Sequence, residues 1–315
     1  MIAFGPVPSR RLGRSLGINN IPPKHCPYSC VYCQVGRTTD MQVRRQKFYP
    51  IKDILADVEE KVALSKESGE PIDYFTFVPD GEPTLDIDLG REIEGLKGLG
   101  IKIAVITNAS LLSYEDVRED LFGTDLVSLK VDSVEESVWK RINRPHGALD
   151  LSSVLGGIVR FAQEYKGKLL TETMLVRGLN DDDLGLRKTA DFLAELNPDC
   201  AYLSVPTRPP AENWARAPSE ATINRAYQIM NGRMANVEYL VGYEGNAFAF
   251  TGNAKEDLLS ITAVHPMREE AIREFLARAK TDWSTVDWLL NQDELAEVEH
   301  EGRKFYVRRF KAEHG

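Results

Sequence analysis

Five short apolar runs, each closed by turn residues, recur between residues 74 and 206: YFTFVP (74–79), KIAVITN (102–108), LVSLKVD (126–132), LLTETMLV (169–176) and CAYLSVP (200–206). Such runs read as strands buried on both faces, the pattern of a parallel sheet. Amphipathic stretches lie between them, including 51–66, 151–165 and 182–196, where apolar residues return at three and four and predict crossover helices. With a first strand near SLGIN (15–19) the chain has six βα units, and the predicted fold is α/β, a partial (β/α)6 TIM-like barrel. In such a barrel chemistry gathers at the C-terminal ends of the strands. The residues suited to chemistry do follow the strands: a cysteine cluster after the first, DGEPT (80–84) after the second, Asn108 closing the third, Lys130 and Asp132 closing the fourth, and TRPP (207–210) after the sixth. Turn chemistry alone also enriches strand ends in Gly, Pro, Asn and Asp.

The 315 residues include 43% hydrophobic ones, enough for a large core, and a formal net charge of −9. That balance excludes a broadly basic surface of the kind that coats nucleic acid. SRRLGR (9–14) and RKFYVRRFK (303–311) are local basic patches, each read as solvated surface charge. No apolar run is long enough to cross a bilayer and no leader pattern opens the chain, so a cytoplasmic protein with no membrane partner is expected.

HCPYSCVYCQVG (25–36) holds three of the four cysteines, Cys26, Cys30 and Cys33. Clustering of this kind points to metal ligation rather than to a dispersed disulfide framework. Three thiolates in one short loop can hold three irons of a cubane and leave the fourth open. Zinc is the alternative. It generally closes four ligands, and here only the adjacent His25 or the distant Cys200 is available to complete a set. Cys200 opens the predicted sixth strand and reads as a packing residue.

CPYSCVYC, with its CxxxCxxC spacing and Tyr32 before the third cysteine, resembles the signature of radical S-adenosylmethionine (radical SAM) enzymes. The resemblance implies a [4Fe-4S] cluster on Cys26, Cys30 and Cys33 and S-adenosylmethionine as cofactor. It implies reductive cleavage of that cofactor to a hydrogen-abstracting 5'-deoxyadenosyl radical. DGEP is similar to the family's segment that holds the methionyl amino group: Gly81 allows close backbone approach, Glu82 accepts from an ammonium and Pro83 fixes the turn. By the same resemblance Tyr32 lies near the adenine, and Asn108, Ser128, Lys130 and Asp132 face the carboxylate, ribose and sulfonium. The alternatives are a barrel-interior hydroxyl for Ser128 and rim salt bridges for Lys130 and Asp132.

Within the superfamily the segments PVPSRRLGRSLGIN, CPYSCVYCQ, DGEPTL, KRINRPHG and TETMLVRGLN are similar to the group related to the tRNA wyosine-base synthase. The likeness implies that Arg144 and Arg208 lie over the barrel mouth. Salt bridges are the alternative for both; Arg144, with Lys130, is a candidate for a role in the reaction, whereas Arg208 is read as a salt-bridging residue. No cysteine precedes Cys26, so a second cluster of the wyosine-synthase type is not expected.

The C-terminal region reads as a separate module. A helix from Pro266, a second from about Ser284 and two alternating runs joined at EGRK (301–304) predict a winged-helix-like α+β unit, dividing the chain into a barrel at 1–245 and a module at 246–315. Three functions compete on this reading. One is a radical SAM enzyme acting on structured RNA. A second is such an enzyme acting on a peptide, a protein (including glycyl-radical activation) or a small metabolite, and the third is a zinc-binding interaction protein. Either enzyme needs an electron donor such as flavodoxin or ferredoxin.

Overall fold

The computed structural model describes residues 2–240, 248, 250, 252–264, 266–300 and 302–309, with backbone only at 263 and 264. The chain opens on an antiparallel hairpin, β1 (Ala3–Ser9) and β2 (Gly13–Ile18). The cysteine loop follows, with a two-residue ladder between β3 (His25–Cys26) and β4 (Asp40–Met41). Then come α1 (Ile51–Glu67), β5 (Tyr74–Phe77), α2 (Leu89–Leu96), β6 (Lys102–Thr107), α3 (Glu115–Leu121), β7 (Leu126–Lys130), α4 (Glu136–Ile142) and α5 (Leu151–Glu164). The barrel ends with β8 (Lys168–Met174), α6 (Asp183–Leu196), β9 (Cys200–Ser204), α7 (Glu220–Asn231) and β10 (Val237–Leu240). One eight-stranded sheet runs β1-β2-β5-β6-β7-β8-β9-β10, and every pairing after β1·β2 is parallel.

The partial barrel predicted from the six apolar runs is therefore present, with two strands beyond the prediction. β1 was hidden by its glycine and two prolines, which suit an edge strand and break the apolar run. β10 is only four residues long and half exposed, too short to carry a pattern.

Period-two alternation sorts the strand residues into two faces. Val127, Leu129, Ala201 and Leu203 pack outward against the helices. Inward residues form layers. Leu126, Leu170, Cys200 and Tyr202 make an apolar layer at the strands' N-terminal ends, and Leu12, from the β1–β2 turn, packs into it as a floor. Cys200 is buried in this layer, which gives it the packing role expected. Above it lie Ser128, Glu172 and Ser204, and above those Lys130 and Met174 reach the open end.

Behind the loop after β5, Glu92 on α2 and Asp86 are buried side by side. Burial first, and Asp86 second, raises the pKa of Glu92. A raised carboxyl keeps its proton in the folded chain and loses it sooner in the unfolded one, so its stabilising contribution is complete at acid pH and lost as pH rises through the folded value. Stability is thus expected to fall between about pH 5 and pH 9 through this group. Glu92→Gln is expected to flatten that slope and to melt above the wild type at pH 8, as thermal unfolding across the range will show.

The C-terminal region contains α8 (Ala254–Val264), β11 (Met267–Arg268), α9 (Glu269–Arg278), α10 (Ser284–Asn291), β12 (Leu295–His300) and β13 (Arg303–Arg308), with a three-stranded sheet ordered β11-β13-β12. Both predicted helices and the hairpin are present. The helix expected from Pro266 begins instead at Glu269, because Met267 and Arg268 pair with Tyr306 and Phe305 as strand. The region has its own apolar core, including Leu258, Met267, Phe275 and Leu289, and Val7 of β1 packs against it. The boundary expected at residue 245 lies outside the described residues.

Candidate active site

A cavity of about 330 Å³ opens at the C-terminal ends of the strands, where the predicted chemistry lay. Its wall includes Cys26, Cys30, Cys33, Tyr32, Gly81 and Lys130 from the sequence-based candidates, with Asp80, Glu172 and Arg208 beside them. Glu82, Pro83, Asn108, Ser128, Asp132 and Arg144 are not in that wall. Most of them stand directly behind it.

The cysteine loop is pinned on two sides. Toward β5, the amide of Lys24 donates to the Asp80 carbonyl at 2.6 Å and that of Glu82 to the His25 carbonyl at 3.0 Å. The approach is so close that a Cβ on Gly81 would lie 2.1 Å from the His25 oxygen, which explains the glycine. Toward α4, the NRPH segment runs along the loop. Val31 N–H donates to Ile142, Ser29 N–H to Asn143 and His146 N–H to Pro27. Trp139 Nε1 donates to the Tyr28 hydroxyl at 3.1 Å. Arg144, in the left-handed region at φ 47°, turns its guanidinium to Glu212 at 2.5 Å, and Arg37 holds the same carboxylate at 2.9 and 3.1 Å. This is the salt bridge that stood as the alternative reading of Arg144. Arg208, expected to form a salt bridge, lies in the cavity wall and donates to Gln34 at 2.7 Å.

Each thiol is half-buried, and each receives an amide. Cys26 Sγ accepts from Asn108 Nδ2 at 3.3 Å and from the Tyr28 amide at 3.5 Å. Cys30 Sγ accepts from Asn143 Nδ2 at 3.4 Å. Burial pushes Cys26 well up and Cys30 up to about 12, and it also raises Cys33, where the Val35 amide pulls the other way. Loading metal at these sulfurs must therefore release protons. Both nitrogens of His25 point elsewhere, to Asp40 at 2.9 Å and the Pro23 carbonyl at 3.2 Å, so the ring does not complete a ligand set. Among the described residues no three His, Cys, Asp or Glu side chains converge on one ion position. A cubane spreads its thiolates over a wider triangle than a single ion does, so three half-buried, amide-served sulfurs around one cavity fit an iron-sulfur cluster.

Glu82 does not extend into the cavity. One oxygen accepts from Thr84 N–H (3.1 Å), Thr84 Oγ1 (2.6 Å) and Thr107 Oγ1 (2.6 Å), the other from Asn108 N–H (2.7 Å). Burial raises its pKa against these donors. The carboxyl ties the DGEP loop to the end of β6. Asp80 is the cavity-facing acid of that loop, and burial pushes it up to about 8 against the pull of Arg308 and Lys24.

Inside the barrel Glu172 is the hub. It accepts from Arg11 at 2.6 Å, Lys130 at 2.7 Å and Ser204 at 2.8 Å, and Arg11 also reaches Ser128 at 3.1 Å. Burial would raise Glu172 and lower Lys130. The paired charges win: Lys130 and Arg11 bring Glu172 well below the carboxylate range, while Glu172 and Asp132 raise Lys130. Lys130 sits 4.9 Å over the Tyr32 ring, whose hydroxyl donates to Asp132. Ser128 is thus the interior hydroxyl of its alternative reading. Glu172, Asn143, Asp80 and Glu212 were missed as site residues, although a glutamate inside the apolar run LLTETMLV was a visible signal for the first.

A family profile described as the Radical SAM superfamily matches residues 20–205, more than half of the chain. The chain belongs to this superfamily of enzymes. A UPF0026 protein of Methanocaldococcus jannaschii is 48% identical to this radical SAM chain over 313 residues, covering 99% of it and 97% of its own length. Among solved structures, TYW1 with a lysine-pyruvate adduct bound aligns with a TM-score of 0.55 at 16% identity, over 70% of this chain and 74% of that one. A radical SAM methyltransferase from Sphaerobacter thermophilus aligns at 0.52 and 18% identity, over 72% and 67%. These structures share the fold. Membership implies a [4Fe-4S] cluster and S-adenosylmethionine.

Proposed function

We propose that Cys26, Cys30 and Cys33 hold one [4Fe-4S] cluster and that the cavity beside them binds S-adenosylmethionine and a substrate from which hydrogen is abstracted. The observation that carries this reading is the convergence of three half-buried thiols, each with an amide donor, on the wall of one cavity. When bound, the reduced cluster supplies the electron that splits S-adenosylmethionine into methionine and a hydrogen-abstracting 5'-deoxyadenosyl radical. The chain's own residues do the rest. Gly81 lets its backbone approach the methionyl end, Asp80 presents there a carboxyl whose pKa burial raises, and Tyr32 and Lys130 flank the cofactor. Glu82 and Pro83 hold the DGEP turn, Asn108 and Asp132 orient the wall from behind, and Arg144 fixes the cysteine loop through Glu212 rather than touching substrate.

For the substrate, modification of an RNA base rests on the likeness to the wyosine-synthase group and on a winged-helix-like reading of the C-terminal unit as a separate domain. Two observations favour a peptide or small metabolite instead. Two cations at the β12–β13 hairpin are paired with acids, Lys304 with Glu297 at 2.9 Å and Arg309 with Asp293, which lowers the charge they offer to phosphates. Lys130 is kept an ammonium by Glu172, which opposes a lysine adduct like that in TYW1. An electron donor such as flavodoxin or ferredoxin is required. A cytoplasmic location accords with the absence, among the described residues, of a helix able to cross a membrane.

Anaerobic reconstitution with iron and sulfide, followed by dithionite and S-adenosylmethionine, is expected to yield 5'-deoxyadenosine by chromatography. Stable zinc with no cleavage would overturn the enzyme reading and leave a metal-stabilised binding protein.

A further inference from the structure

Two side-chain amides point at two different cysteine sulfurs, and their orientation is fixed by the rest of the structure. Asn108 Oδ1 accepts from the Ser110 amide at 2.9 Å, so the group it turns to Cys26 Sγ at 3.3 Å must be the NH2. Asn143 meets the Asp132 carboxylate at 2.7 Å, which only a donor can satisfy, and the same Nδ2 lies 3.4 Å from Cys30 Sγ. The two residues come from different parts of the fold, one closing β6 and one following α4. For Cys33 the donor is the backbone amide of Val35, which no substitution removes.

A hydrogen bond to a ligating thiolate withdraws electron density from the sulfur and favours the reduced, more negative cluster over the oxidised one. Asn108 and Asn143 stand where such bonds form, in a buried site where electrostatic effects are weakly screened. We infer that Asn108 and Asn143 are positioning residues that set the reduction potential of the cluster by donating to the sulfurs of Cys26 and Cys30. The inference rests on the cluster assignment proposed above. It gives Asn108 a task other than facing the cofactor carboxylate, and it gives Asn143 a task that the sequence motif does not suggest. Because each acts on its own sulfur, the two effects are independent.

The test is a redox titration of the anaerobically reconstituted protein, followed by electron paramagnetic resonance, for the wild type, Asn108→Ala, Asn143→Ala and the double variant. Each single variant is expected to assemble the cluster and to shift the midpoint to more negative potential, with the double variant shifted by about the sum of the two. Asn143→Leu keeps the approximate shape and removes the donor without adding charge, so its shift is expected to match that of Asn143→Ala. Should an alanine variant fail to fold, the leucine variant and the other asparagine read the same effect. Clusters that assemble with an unmoved midpoint in both single variants would overturn the inference while leaving the cluster intact. A wild type that assembles no cluster would instead overturn the reading beneath it.

Discussion

Cys30→Ala is expected to lose the cluster's iron and labile sulfide and to lower 5'-deoxyadenosine formation by more than about 100-fold, because a two-thiolate remnant cannot keep an open iron beside the cavity. Cys30 is the most informative of the three. Its neighbours Ser29 and Val31 are already held by backbone bonds to Asn143 and Ile142, so the loop keeps its course when the sulfur is removed. Cys200→Ala is the control. That thiol lies in the apolar floor, away from the cavity wall, and its replacement is expected to cost about 1 kcal/mol of stability and no iron. Iron retained by Cys30→Ala, or lost by Cys200→Ala, would contradict the assignment of ligands.

Glu172→Gln is expected to destabilise the fold by roughly 3–5 kcal/mol, the cost of leaving buried cations without their anion, and to lower Tm by on the order of 10 °C. Only 8% of Glu172 is exposed, and both Arg11 and Lys130 depend on it. Its lowered pKa fixes the pH window. The stabilisation is present above the ordinary carboxylate range and is lost only as pH falls through the depressed folded value, so the wild type is expected to keep this contribution throughout mildly acidic pH. The triple change Arg11→Met, Lys130→Met, Glu172→Leu is expected to regain most of the melting temperature, since a buried ion cluster can be exchanged for apolar packing. It is not expected to regain turnover. Recovery of both would reduce the cluster to a structural element; recovery of neither would place its importance in the shape of these side chains.

The barrel was legible because β5 to β9 carry apolar residues on both faces and so stand out as apolar runs even with Ser128, Glu172 and Ser204 facing inward, and because CPYSCVYC is a contiguous motif. What escaped was whatever depends on pairing across the fold. Glu212 stands in a proline-rich loop and gains meaning only when Arg37 and Arg144 fold onto it. Glu82 is prominent in the motif, yet its four donors come from Thr84, Thr107 and Asn108, and only the folded chain shows that they consume the carboxylate. Arg11 read as a surface cation, because nothing local says that the β1–β2 turn carries it into the barrel. The edge strand β1 and the short β10 escaped for a different reason: their own residues are poor strand formers or too few, and neighbouring strands hold them in place.

The Leu12 floor makes the barrel a flask rather than a tube. With its base packed by Leu126, Leu170, Cys200 and Tyr202, the interior is closed at the strands' N-terminal ends, so a molecule that enters from the open end meets a solid bottom. On the proposed reading, that bottom keeps a bound substrate near the rim, beside the cysteines, rather than letting it pass through.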